Sequence, residues 1–132
     1  MTCLDIFEIV AALIGEDADD SGADLLKKRL PALISTAACE LFELDRAYRK
    51  YVLCEIVSDG DGPEPIHSLD DESPVTPRLV PTLAFYVSAL LIRDENSALA
   101  EMLSRDYANS RDAIASSIPA HSSVVRDRYA GF

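Results

Sequence analysis

Between residues 60 and 77 the chain carries Gly60, Gly62, Pro63, Pro65, Pro74 and Pro77. Each proline lacks a backbone donor, and each glycine gives up conformational restraint. No regular element survives that density of breakers. The chain therefore divides into two structured stretches joined by a long irregular loop, residues 58–77, which opens with a turn at "DGDG". A loop of this length is usually functional, or ordered only when a partner binds.

Both flanking stretches read as helix. In "CLDIFEIVAALIGE" the residues Ile6, Ile9, Val10, Leu13 and Ile14 recur at helical spacing. Thr2 with Asp5 three residues later makes a capping signature, and Gly15 marks the stop, so a helix is expected over about 3–14. "EDADDSGAD" is a polar connection in which Asp20 or Ser21 can cap the next helix. That helix carries the stripe Leu26, Leu30, Leu33, Ile34, Ala37, Ala38, Leu41 and Phe42. Pro31 interrupts the stripe, which predicts a kink or a restart with 28–30 as the junction. A bend is expected near Asp45. "YVLCEIV" is rich in β-branched residues, which leaves a short strand or hairpin near 51–66 open.

After the loop, Leu79, Leu83, Val87, Leu90 and Leu91 repeat with helical period in a segment that is apolar almost all round. Such a helix belongs at the centre of a bundle or under a subunit contact. Pro81 suits its first turn. Asn96 or Ser97 caps a further helix with Leu99, Met102, Leu103, Tyr107 and Ile114 on one face. The connection at 93–96 is short, so these two helices should pack antiparallel. The tail breaks at Pro119 and ends with Val124, Val125, Tyr129 and Phe132, which either dock back on the bundle or reach a neighbour. The expected fold is all-α, four to five helices in one small bundle with a long acidic loop.

The totals agree with that expectation. At 132 residues, residues 1–132 make one domain large enough to fold without disulfides or metals. With 48% apolar residues and no Trp, the core must be Leu, Ile, Val and Ala. Net charge is −11, and residues 1–76 hold 17 acids against 6 bases, while the remainder is balanced. That distribution opposes phosphate contacts, so sequence-specific nucleic acid is not an expected partner. Cys3, Cys39 and Cys54 are odd in number and widely spaced, with no C-x-x-C, which argues against a disulfide framework or zinc site. Cys39 falls on the apolar stripe and reads as a small core residue. A reducing, cytoplasmic setting fits, with no signal peptide apparent and no membrane-length apolar run.

The acidic loop is the obvious place to look for chemistry. "SDGDGPEPIHSLDDESP" holds six carboxylates and His67. Asp59 and Asp61 begin like a calcium loop, but the later ligand, glycine and bidentate-glutamate positions hold Pro63, Glu64 and Asp70. Three neighbouring acids in a solvated loop rarely acquire the separated pKa values that acid–base catalysis needs. His67 has no Cys or second His nearby, and His121 lies in the tail. Neither a G-x-S-x-G elbow nor a glycine-rich phosphate loop occurs. Ser35 and Thr36 sit inside an apolar helix, where hydroxyls usually bond back to the preceding turn. No catalytic residue, metal ligand or cofactor site is expected.

Protein contact is the better reading. "KKR" (Lys27, Lys28, Arg29) and "RAYRKY" (46–51) are basic, whereas "SLDDE" carries Asp70, Asp71 and Glu72. Opposite charges at different places on one chain favour head-to-tail association. The candidate contact residues are therefore these six, together with Leu83, Val87 and Leu91 on the apolar helix and Val125 and Tyr129 in the tail.

Three stretches carry a resemblance: "LLKKRLPALISTAACELFEL" (25–44), "PIHSLDDESPVTPRLVPTLAFYVSALLIRDENSALAEMLSRDY" (65–107) and "VVRDRY" (124–129). Together they resemble small phage and prophage proteins of Gram-positive bacteria that look like relatives of head–tail connector or adaptor proteins. The most distinctive part is "LDDESP" followed by "VPTLAFYVSALLIRDENSALAEM". Thr82–Leu83 stands where that group has a small, glycine-containing pair, and Met102–Leu103 where an aromatic is common. The resemblance implies an α-helical, non-enzymatic protein that assembles as a ring beneath the portal of a capsid, with portal or neck proteins as partners and no catalytic residues. It also implies a location in the bacterial cytoplasm and then in the virion. The rival expectations are a small soluble adaptor or regulator that binds one protein, and a metal-dependent enzyme using His67 and the acids around it.

Overall fold

The computed structural model describes residues 1–16, 23–57, 60 and 62–119. The described residues form four α-helices and one 3₁₀ turn, with no strand among them. Helix α1 spans Cys3–Ile14, α2 spans Ala23–Tyr51, the 3₁₀ turn spans Pro77–Leu79, α3 spans Val80–Ile92 and α4 spans Ser97–Ser117. The all-α expectation holds.

Local chemistry sets most of the helix ends. At the start of α1 the Asp5 carboxylate accepts from the Thr2 backbone N–H at 2.9 Å, closing a capping box. Gly15 ends the helix at φ +79°, the left-handed conformation that glycine adopts without a Cβ penalty. Asn96 caps α4 by accepting from the Leu99 N–H at 3.1 Å. Pro81 occupies the first turn of α3, where its missing donor has no intrahelical duty.

The second helix departs from expectation at two points. Helix α2 runs unbroken from Ala23 to Tyr51 with Pro31 inside it, so the restart at 28–30 does not occur and the chain stays helical through Asp45. Leu30, Ile34, Ala37 and Leu41 flank the proline and are fully buried. Their packing outweighs a cost of about 3 kcal/mol for an interior proline. The strand or hairpin near 51–66 is absent among the described residues. The helix instead stops at Tyr51, with Cys54 at φ +56° and the Glu55 N–H bonded back to the Arg49 carbonyl at 2.9 Å. This is a helix-terminating turn with cysteine where glycine is usual.

All four helices contribute to the main core, through Ile6, Phe7 and Val10 of α1, Leu30, Ile34 and Leu41 of α2, Leu83 and Val87 of α3, and Ile114 of α4. Helix α3 is central and touches the other three. Its hydroxyl at Thr82 meets that of Ser110, its Tyr86 ring lies 5.2 Å from that of Tyr107, and Ile92 clusters with Ala100. Those pairs run in opposite directions, so α3 and α4 are antiparallel, as the short 93–96 connection requires. Ile114 and Leu103 of α4 are buried as expected, but Met102 is exposed and Ala100 takes the inward place. Cys39 is also exposed, and the buried cysteine is Cys3. Cys39 borders the stripe, one residue beyond the Ala37–Ala38 pair that faces the core.

Candidate protein-contact surfaces

The second half of the acidic loop is folded against the bundle. Asp45 of α2, buried, accepts from both the Thr76 N–H at 2.9 Å and the Thr76 hydroxyl at 3.0 Å. Its other oxygen lies 2.9 Å from Arg49 Nε, off the N–H axis, so that contact is a charge pairing and not a directed hydrogen bond. Ser35 accepts from the Ile66 N–H at 2.8 Å, which ties the loop to the middle of α2. The Cys3 and Leu4 N–H groups at the open end of α1 donate to the carbonyls of Asp71 and Leu69, both at 2.9 Å. The first turn of α1 thus finds acceptors for donors that a helix cannot satisfy internally. Ile66 and Leu69 pack on the core, and Val75 is buried in it. Thr36, by contrast, bonds back to the Ala32 carbonyl at 3.0 Å, as expected of a hydroxyl inside a helix.

The three loop acids have different positions. Asp71 accepts from the backbone N–H groups of His67 at 3.0 Å and Ser68 at 3.2 Å. Those two bonds hold its carboxyl below the ordinary carboxylate range. Asp71 is therefore occupied in making the turn. Glu72 pairs with the Met1 amino group at 3.6 Å and is otherwise exposed. Asp70 is exposed. Cys3 lies beneath this turn, and burial first, then the Asp71 and Glu72 charges, push its thiol up to about 11. Asp59, Asp61 and His121 lie outside the described residues, and the imidazole of His67 is exposed. No group of three or more His, Cys, Asp or Glu side chains is gathered as metal ligands among the described residues.

The basic candidates are partly engaged. The Lys27 ammonium lies 5.4 Å from the centre of the Phe7 ring, whereas Lys28 and Arg29 are exposed. In "RAYRKY", Arg46 pairs with Glu43 at 2.8 Å and stacks on Phe42, while Arg49 faces Asp45. Leu83 and Val87 are corrected outright: both are fully buried in the chain's own core and cannot meet a neighbour. Leu91 is half-buried and packs against the same core. Val125 and Tyr129 lie outside the described residues.

The surfaces that are open to a partner lie elsewhere. A groove of about 890 Å³ runs between α2 and the loop, with Phe42, Arg46, Ile56, Pro65 and His67 among its walls. A second groove, about 520 Å³, lies along α3 and α4, where Tyr86, Leu90, Ala100 and Tyr107 line an apolar floor with Arg93 and Glu101 beside it. The Tyr107 hydroxyl is buried without a hydrogen-bond partner among the described residues, and burial raises its pKa. Just past the end of α2, Val52, Leu53 and Ile56 project from the surface, and Ile56 is as exposed as in an extended peptide (104%). The contact candidates Leu83 and Val87 lie on the inward face of α3. An all-round apolar helix has no polar side to mark what points outward, and the only cue was the half-polar character of Tyr86 and Arg93.

No helix among the described residues is long and apolar enough to cross a membrane. Comparison of the chain with protein-family models, with curated proteins and with solved structures finds no match.

Proposed function

We propose that this protein is a non-enzymatic structural component of a phage or prophage particle, a head–tail connector or adaptor that joins portal or neck proteins by helix-face contacts. The reading starts from the resemblance carried by residues 25–44, 65–107 and 124–129. The observation that carries it further is the use of the acidic loop. Asp71 is consumed in a turn, and Asp45 and Ser35 clamp the segment to α2. The polar residues that looked most like a reactive site thus build a shape, while the apolar side chains Val52, Leu53 and Ile56 are offered to the outside. Exposed aliphatic clusters of this kind are costly in isolation and gain by burial against another protein. Of the acids expected to meet a neighbour, Asp70 and Glu72 retain that role in the proposal, and Asp71 does not.

Deleting the gene from an inducible prophage tests the reading. The expected result is DNA-filled heads and separate tails, restored to whole particles by the gene in trans, with the protein detected in those particles by mass spectrometry. Normal particles from the deletion strain would refute it. A second reading, a small adaptor that takes a peptide from one protein partner, is favoured by the 890 Å³ groove between α2 and the loop. Normal particles together with a groove-dependent partner would support that alternative.

A further inference from the structure

We infer that the α3–α4 groove is filled by the Val52–Ile56 knuckle of a second copy of this chain, in a contact that repeats head to tail. The inference deepens the assembly reading above and rests on it, together with the ring assembly that the resemblance implies. It begins with shape. The knuckle is a short projection tied back to α2 by three backbone bonds: the Val52 and Leu53 N–H groups reach the Tyr48 carbonyl, and the Glu55 N–H reaches that of Arg49. Cys54 sits at φ +56° to make the turn, a backbone conformation that a non-glycine residue adopts at a cost. What the turn achieves is outward presentation of Leu53 and Ile56, which are 46% and 104% exposed. The groove supplies the complement, a concave apolar floor of Tyr86, Ala89, Leu90, Ala100 and Tyr107.

Charge is complementary as well. The knuckle follows Lys50, whose ammonium lies 5.2 Å from the centre of the Tyr51 ring, and carries Glu55 within it, and the groove is flanked by Glu101 and Arg93. Arg93, Glu101 and Glu55 form no ion pair among the described residues, so each is available across the contact, Lys50 to Glu101 and Glu55 to Arg93. A like-charged arrangement at either pair would have opposed docking.

One molecule cannot fill its own groove. Asp45 fixes α2 to Thr76, just before α3 begins, and Tyr107, packed against Tyr86 in the middle of α3, feels the charge of Glu40. Residue numbers thus rise along α2 as they fall along α3. The knuckle lies beyond the start of α3, whereas the groove is centred near Leu90, some fourteen residues further on. At 1.5 Å per residue the two are about 20 Å apart. Separate complementary patches on one chain give a heterologous contact, which closes into a ring when the rotation allows and otherwise runs on as a filament.

Sedimentation velocity at rising protein concentration, with Ile56→Asp and Ser104→Arg, tests the contact. Both positions are exposed, so neither change should disturb the fold, which far-UV circular dichroism checks. The wild-type chain should associate, and each variant alone should lose association by about thirtyfold or more. An equimolar mixture should form a one-to-one dimer, because the first variant keeps its groove and the second its knuckle. A mixture that stays monomeric overturns the contact, as does a wild-type chain that never associates. If the wild type associates and neither variant weakens it, this contact falls while self-assembly through another surface stands. The particle phenotype of the deletion strain is a separate result and is unaffected by any of these outcomes.

Discussion

Asp45→Ala should be among the most damaging single substitutions outside the apolar core. The carboxylate is buried at the junction of α2 and the segment that leads into α3, and it serves the Thr76 N–H, the Thr76 hydroxyl and the Arg49 guanidinium at once. Removing it leaves a buried backbone donor without a partner, which costs about 1–3 kcal/mol. The loss of the charge pairing adds less than the 3–5 kcal/mol typical of a fully buried pair, because the Arg49 side chain as a whole is 35% exposed, although the Nε that faces Asp45 is buried. A total near 3 kcal/mol follows, a large part of the roughly 5–15 kcal/mol that stabilises a domain of this kind. Asp45→Asn keeps an oxygen for Thr76 and gives up only the charge, so its cost should be about 1 kcal/mol. Urea unfolding followed by circular dichroism reads both. With a slope of about 1–3 kcal/mol per molar, the alanine variant should lower the midpoint by at least about 1 M, and the asparagine variant by much less. Equal midpoints for the two variants, or an alanine variant within about 0.5 kcal/mol of wild type, would show that the Asp45–Thr76 clamp does not hold the loop to the bundle.

Further outcomes follow from other residues. Leu83→Ala should cost about 2–5 kcal/mol, since the side chain is fully buried, and unchanged monomer stability would return it to the surface. At pH 8 a thiol reagent should label Cys39 and Cys54 quickly and Cys3 only on unfolding, because a thiol pushed up to about 11 is thiolate in roughly one molecule per thousand; three equal rates would contradict that placement. The Asp71 carboxyl titrates lower in the folded chain than in the unfolded one. Its stabilisation is therefore fully present above the unfolded value and lost as pH falls through the folded value. Asp71→Asn should flatten the acid side of the stability profile, and superimposable profiles would count against the turn. Cys54→Gly should raise stability by up to about 1 kcal/mol by relieving the positive φ, and a loss would mean that the turn is not strained.

What the sequence by itself determined lies in short-range chemistry. Thr2 with Asp5, Gly15, Pro81 and Asn96 each act within one turn of the backbone, so both ends of α1 and the starts of α3 and α4 were legible in the residues alone. The core-facing stripe of α2 was legible too, because polar residues mark its other side. The tertiary structure decided what depends on distant neighbours. Pro31 stays inside one helix because packing across the bundle outweighs its local cost. Asp45 becomes a buried clamp only because Thr76, 31 residues away, arrives opposite it, and Ser35 does the same for Ile66 at the same separation. The face of α3 that turns inward, and hence the groove that remains outside, was beyond pattern reading for the same reason. A helix apolar on every side has its orientation set by which neighbours reach it first, and that is a property of the assembled bundle.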